Sequence, residues 1–359
     1  MQKFKKFFEG PPRGKDDKKV TIEGPMGGNR WTWVVESGLY SVGLESAIHF
    51  YDCPEPLSRI SNRMHNLLIK MGLPGTFVDW KTMSNYRVWE MVKKNKTPLV
   101  LSLQGLVDQK TVQDIRELHP LVRIIYWWGP PVKREDQIQR IMEMDGVVDV
   151  LGLSFKKDVE RLRSRSARNV VHLPFAACPY HHNLKVNTTS RTRRKYGRDV
   201  VLIAPFGEYE EELIRRISEA LGQKVDVWGP GWSDNQWVRS NGLIFTPRNL
   251  EAYASSTIVL NPHGHDFMEH NGLNPAFFEI PAAGGFQITE DQPILQEKAF
   301  GEHVVTFRDP RELAEKVRYY LNDHGARETM RSRLQAHILE QETYGHRFYH
   351  LFDSMQISG

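Results

Sequence analysis

Cysteine is scarce: the 359-residue chain has two, Cys53 and Cys178. Their wide separation excludes a disulfide-stapled scaffold and any close-spaced zinc module, so two packed, reduced thiols are expected. Long apolar runs are also missing. Val147–Leu153 and Thr257–Leu260 fall far short of the ~18 residues that span a bilayer. Met1–Lys19 is basic and broken by Gly10-Pro11-Pro12, with no apolar stretch of the kind that marks a secretory signal. Neither sign of charge dominates, with 48 Lys and Arg against 44 Asp and Glu, a net +4. These shortages exclude a membrane-spanning chain and point to a cytoplasmic one. The positive excess is modest and no base-reading motif appears, which ranks nucleic acid below other partners.

What is present is an ordinary core composition, 40% hydrophobic and 26% charged, in a chain long enough for two domains. Residues 1–18 read as a basic flexible arm. Lys19–Glu23 then reads as a strand, Gly24–Asn29 as a glycine-rich turn and Trp31–Leu44 as a helix, the opening of a nucleotide-binding α/β unit. The alternation continues with helix Ser58–Met71, strand Thr97–Leu103, helix Thr111–Leu118, strand Val122–Trp128, helix Arg134–Met144 and strand Val147–Leu153. Runs of Val, Ile and Leu with little alternation fit parallel strands covered on both faces. Phe175–Tyr196 reads as a linker, with Tyr180–Asn183 on its surface. The pattern restarts with strand Asp199–Ala204, helix Glu210–Leu221 and strand Val225–Trp228. It goes on through strand-like Gly242–Phe245, helix Leu250–Ser255 and strand Ile258–Asn261.

Positive charge clusters twice, at Lys156–Arg168 and at Arg191–Arg198. Solvated helix and linker surface explains both runs. An anionic partner (a nucleotide diphosphate, an acidic glycan or nucleic acid) is the alternative.

Leu260–Asp291 carries the most chemistry. A buried strand ends at Asn261-Pro262. A polar loop follows with His263, His265, Asp266, Glu269, His270 and Asn271, and a helix starts at Pro275 with Glu279 expected in its first turn. Amides around Gly272 and Asn274 at that helix start would favour a diphosphate. Glu279 would accept hydrogen bonds from the vicinal hydroxyls of a ribose. The histidine spacing matches no zinc template, so no metal is expected. In the first half, Gly27, Gly28, Asn29 and the strand-end Trp128 are candidates for an acceptor-side cleft.

Asn261–His263, Gly272–Asn274, Phe278–Ala282 and Gly284–Thr289 closely resemble the C-terminal domain of CgeB-like (spore-maturation-protein-like) glycosyltransferases. Val200–Gly207, Val227–Trp232, Tyr319–Leu321, Thr343-Tyr344 and Arg347 add to the resemblance. It implies an α/β fold of GT-B type, with two Rossmann-like domains whose parallel sheets face across a cleft. The domains would be 19–190 and 191–334, with a C-terminal helix, about 335–359, returning to the first. It further implies a nucleotide-diphosphate sugar as donor and no obligatory cofactor or metal. The donor residues implied are Gly207, Trp228, Gly229, Arg248, His263, Asn271, Gly272, Asn274 and Glu279. Related retaining enzymes carry two glutamates eight positions apart. Glu279 matches the second, Asn271 stands at the first and Glu269 lies two residues earlier. Ala276 occupies a position where family members commonly have arginine, so Arg215, Arg216 or Arg248, or backbone amides alone, would neutralise phosphate.

Glycosyl transfer needs a stabilised diphosphate leaving group and a base or orienting group for the acceptor hydroxyl. Glu269 and His265 are candidates for the second task, alongside His263 and Glu36. The acceptor would be a glycan or a protein, or, given the basic runs, modified bases of DNA. The departures at 271 and 276 also motivate a catalytically silent nucleotide- or sugar-binding assembly protein.

Overall fold

A computed structural model describes residues 19–26, 31–52, 63–64, 67–68, 70–71, 80–104, 106–182, 189–233, 235–297 and 300–357. The expected arm at 1–18, most of the expected helix at 58–71, and Cys53 lie outside them. The chain divides into two compact units. One runs to Pro174 and takes in the chain from Phe348; the other is Phe175–Arg347.

The first unit holds a six-stranded parallel sheet in the order β2-β1-β3-β4-β5-β6. Its strands are β1 (Lys19–Gly24), β2 (Glu45–Phe50), β3 (Leu99–Leu103), β4 (Arg123–Trp128), β5 (Val150–Leu153) and β6 (Val170–His172). Between them lie helices α1 (Trp31–Ser41), α2 (Trp80–Asn95), α3 (Gln109–Leu118), α4 (Glu135–Met142) and α5 (Lys156–Ser164). β3 and β5 are buried throughout, because helices cover both faces of a parallel sheet. Asp108 caps α3, its carboxylate accepting from the Thr111 amide. The core gathers Val88, Val100, Ile124, Tyr126, Trp128, Ile138 and Leu151. On the other face Trp127 meets Trp31 edge-on at 5.4 Å and Phe348 at 6.3 Å.

Near its end β1 carries a buried carboxyl. Glu23 has no exposed surface. Ser102 Oγ donates to its Oε2 at 2.6 Å, while Oε1 makes no hydrogen bond. Burial raises the Glu23 carboxyl to about 7, against smaller lowering by Ser102 and the Leu106 amide.

The second unit repeats the architecture with the order β12-β11-β10-β7-β8-β9, again parallel. Its strands are β7 (Val200–Ile203), β8 (Val225–Trp228), β9 (Val238–Ser240), β10 (Ile258–Asn261), β11 (Gln287–Glu290) and β12 (Val305–Phe307). Short helices α6 (Pro179–His182) and α7 (Ser190–Tyr196) precede it. α8 (Glu208–Leu221), α9 (Arg248–Ser255), α10 (Gly264–Glu269), α11 (Pro275–Ala282) and α12 (Pro293–Glu297) connect its strands. α13 (Pro310–Asn322), α14 (His324–Gln341) and α15 (Tyr344–Ile357) follow β12.

Several expectations need correction. β2 and α2 were not anticipated. The strand expected at Gly242–Phe245 is irregular chain, and Val238–Ser240 pairs with β8 instead. Tyr180–Asn183 is not uniformly surface: Tyr180 is 55% exposed, but His182 is only 3% exposed. The Lys156–Arg168 run, by contrast, is helix and loop surface as expected: it begins on α5, which buries only Asp158, Val159 and Leu162, and continues beyond Ser164. Arg161 and Arg165 there pair with Glu135.

Candidate functional site

In the second sheet the chain leaves β7 toward β8 on one side, and β10 returns on the other. The carboxyl ends of β7 and β10 therefore flank the switch point where ligands bind in open α/β sheets. Two turns meet there, Ala204–Gly207 after β7 and Pro262–Asn274 after β10.

The second turn is closed by its own hydrogen bonds. Asn274 caps α11, its Oδ1 accepting from the Phe277 amide at 3.0 Å. Its Nδ2 donates to Asn261 Oδ1 at 3.0 Å and to the Pro262 carbonyl at 3.2 Å. Its own N–H donates to His263 Nδ1 at 3.2 Å. His263 Nε2 lies 2.9 Å from Thr289 Oγ1, which itself donates to the Asn261 carbonyl. With Nδ1 accepting, Nε2 carries the proton and donates to Thr289. Burial pushes the His263 imidazole down to about 3, so it is neutral with both nitrogens committed. It cannot serve as a base in this arrangement.

The amides expected to cradle a diphosphate are thus largely consumed. Pro275 has no N–H, Asn274 and Phe277 are spoken for, and Gly272 donates to the Phe267 carbonyl at 3.2 Å. Ala276 alone remains among the first-turn amides.

Glu279 is the fifth helical residue, in the second turn rather than the first, so the helix dipole does little for it. Its side chain is 15% exposed, and burial raises its carboxyl to about 7. His182 Nε2 stands 3.9 Å from Oε1. Tyr253 and Tyr344 also feel this carboxylate: burial first, then its charge, raises both phenols. Behind it Gly285 is obligatory, since a Cβ there would lie 2.9 Å from both Ile280 Cγ2 and the Tyr253 carbonyl. Arg347 sits 5.9 Å over the Phe278 ring and pairs with Glu342.

The turn after β7 is also tight. Gly229 has φ +149°, and a Cβ on it would fall 1.9 Å from the Ala204 carbonyl oxygen. Gly207 caps α8 without a side chain, and the first turn carries Glu208, Glu210 and Glu211. Trp228 packs 6.1 Å from Tyr196 and beneath Arg198, against Val201, Leu250 and Ile280. Trp232 is buried and donates from Nε1 to the Ala204 carbonyl.

The other predicted residues scatter. Asn271 takes φ +50° and its Oδ1 accepts from the Ile294 amide at 3.1 Å. His265 and Glu269 are exposed on α10. Glu36 accepts from Ser46 Oγ at 3.1 Å. Arg215 and Arg216 pair with Glu212 and Glu219 along α8. Arg248 is exposed at the start of α9, with no ion pair among the described residues. Trp128 is 6% exposed within the first unit's core. Gly27, Gly28 and Asn29 lie outside the described residues. Among the described residues no three His, Cys, Asp or Glu side chains converge as a metal cluster, and no helix is long and apolar enough to cross a membrane. A cavity of about 910 Å³ between β2 and α2, lined by Phe50, Tyr51, Trp80 and Trp89 among others, holds none of the predicted residues. Sequence reasoning missed His182 and Tyr253, which reach Glu279 from distant stretches of chain.

Residues 198–353 match the model of a family described as glycosyl transferase-like. No curated protein matches the chain in sequence. Solved structures are similar over nearly the whole length. A glycosyltransferase from Rickettsia africae aligns at TM-score 0.63 and 10% identity, over 95% of this chain and 99% of its own. A UDP-forming trehalose-phosphate synthase from Burkholderia xenovorans aligns at 0.60 and 13%, over 96% and 100%. Anabaena HepE, in complex with UDP and glucose, aligns at 0.58 and 8%, over 94% and 99%. The chain therefore has the α/β fold of GT-B glycosyltransferases, two parallel six-stranded sheets with interleaved helices, and its second half carries a glycosyl transferase-like domain.

Proposed function

We propose that this chain is a CgeB-like glycosyltransferase that moves a hexosyl or pentosyl group from a nucleotide-diphosphate sugar to a hydroxyl acceptor, without an obligatory metal. The observation that carries the proposal is Glu279. It is a half-buried carboxylate, raised to about 7, in the helix that follows β10 at the switch point of a glycosyl transferase-like domain. A carboxylate is acceptor-only when ionised and takes two vicinal hydroxyls, which suits a ribose. With most α11 amides spent internally, the leaving diphosphate is left to Ala276 N–H, to the Gly207 end of α8 and to Arg248. The acceptor hydroxyl's proton falls to Glu269 or His265, both exposed on α10.

A thermal-shift screen over UDP, GDP, ADP and dTDP tests the donor half, because a ligand that binds only the native state raises its melting point. UDP comes first, since the HepE structure holds it. Glu279→Ala should lose most of the shift; an undiminished shift refutes the assignment. The closed amides and the committed Asn271 favour one second reading, a nucleotide-binding protein without turnover. Binding without hydrolysis across the matching nucleotide sugars would select it.

A further inference from the structure

We propose that His182 is a positioning residue for Glu279, donating from Nε2 to Oε1 so that the carboxylate is held ionised and aimed at the vicinal hydroxyls of a bound nucleoside. The proposal rests on the reading of Glu279 as a ribose ligand.

Three observations converge. His182 is 3% exposed. Its Nδ1 accepts from the Cys178 amide at 3.1 Å, which places the proton of the neutral ring on Nε2. Nε2 then faces Glu279 Oε1 at 3.9 Å, within ion-pair range but longer than a hydrogen bond, and the proposed bond forms when the carboxylate is drawn in by a bound nucleoside. Burial, with a smaller contribution from His181, pushes His182 down to about 3, so the ring is a neutral donor at working pH. A neutral donor fits the place better than a lysine, which would bring a second charge into a dry pocket. One Oε1 lone pair taken by His182 still leaves acceptor sites for two hydroxyls.

The other groups around Glu279 leave its titration legible. α9 presents Tyr253, and α15 presents Tyr344 and Arg347, the latter paired with Glu342. α14 sends Arg331, paired with Glu328, to the Gly284 carbonyl. β11 contributes the neutral Gln287, which donates to the Phe277 carbonyl, and Glu290, which accepts from Tyr209 and the His263 amide. α6 adds His181, for which His181→Asn is the control.

Calorimetric binding of UDP, GDP and ADP from pH 6 to 9 tests the proposal. Wild type should bind more weakly below about pH 7. In His182→Phe the midpoint should rise by about one unit, so affinity drops about fivefold at pH 7 and recovers to within about twofold at pH 9. His182→Gln, whose terminal amide can donate from the same place, should stay near wild type. 2′,3′-Dideoxy-UDP, lacking the hydroxyls, should show only the pH response of its own terminal phosphate, the same in wild type and His182→Phe. Equal weakening of His182→Phe at every pH would mean a packing role and overturn the proposal. If Glu279→Gln binds normally, the ribose reading has failed instead. In that case, or if no nucleotide binds, the Glu279 carboxyl carbon followed by NMR in wild type and His182→Phe decides. An unchanged midpoint overturns the proposal, an upward one supports it. His182→Leu replaces His182→Phe should the latter not fold.

Discussion

Glu23→Gln should make the protein's stability less sensitive to pH, by an amount set by the buried carboxyl. Glu23 is raised from 4.5 to about 7, and desolvation is the main cause. For an acid whose folded value is raised, the stabilising contribution is complete below the unfolded value of 4.5 and lost as pH rises through about 7. At 1.36 kcal/mol per unit, wild type should lose about 3 kcal/mol between pH 4 and pH 8 through this group. The Gln variant keeps an acceptor for Ser102 and has no proton to lose. Its amide puts an N–H where Oε1 now has no partner, a cost of about 1–3 kcal/mol that does not change with pH. Glu279 has the same slope in both proteins and cancels in the difference. Relative to wild type, the variant should gain about 6–12 °C in melting temperature on going from acid to pH 8. Calorimetry at matched ionic strength reads this directly. Parallel melting curves across the range would refute the reasoning and mean that Glu23 is ionised in the fold without penalty.

The remaining predictions concern the second unit. Arg198→Met leaves Asp226, whose side chain is 8% exposed, with only the more exposed Arg239 and Asn241. It should cost about 3 kcal/mol in denaturant unfolding, with Asp226→Asn recovering much of the loss. Gly229→Ala should prevent normal folding, because its Cβ would meet the Ala204 carbonyl at 1.9 Å, whereas Gly222→Ala, with nothing within 4 Å, should cost only about 1 kcal/mol for its φ of +66°. Circular dichroism of the two side by side separates a steric cause from a conformational one. Asn274→Asp keeps the cap to Phe277 but turns the donor facing Asn261 and Pro262 into an acceptor. It should destabilise by at least the ~2 kcal/mol expected for Asn274→Ala. A neutral Asp variant would mean that only the cap matters.

The central strands were legible because burial on both faces forces continuous apolar runs, as in Leu99–Leu103, Val200–Ile203 and Ile258–Asn261. The edge strands were not. β2 has no fully buried residue and β9 has one, so neither offers the run that marks its neighbours. α2 escaped for a related reason. Its sixteen residues bury only Ser84, Asn85, Val88 and Val92, so half its inward face is polar and the apolar period is broken.

At the site, Glu279 was legible from its setting between a strand end and paired glycines. Its partners were not: His182 lies 97 positions earlier, and only the tertiary fold brings the imidazole to the carboxylate. The α11 amides show a deeper limit. Asn at the cap followed by Pro reads equally well as an anion site and as a closed helix start, since both use the same unsatisfied donors. What decides is the supply of internal acceptors, and here Asn274 Oδ1 and His263 Nδ1 take two of them while Pro275 removes a third. Next to those bonds, Asn274 Nδ2 and Thr289 Oγ1 tie Asn261, His263 and Thr289 into one buried network at the carboxyl end of β10. A rigid floor of this kind positions a ligand without charging it. On the proposed reading, the electrostatic work on a departing diphosphate falls to the Ala276 N–H, the glycine-capped end of α8 and Arg248. Glu208, Glu210 and Glu211 oppose an anion at that helix end. Any diphosphate held there requires those carboxylates turned outward, so replacing Glu210, whose carboxylate folds back against Gly207, by Gln should tighten nucleoside-diphosphate binding rather than weaken it.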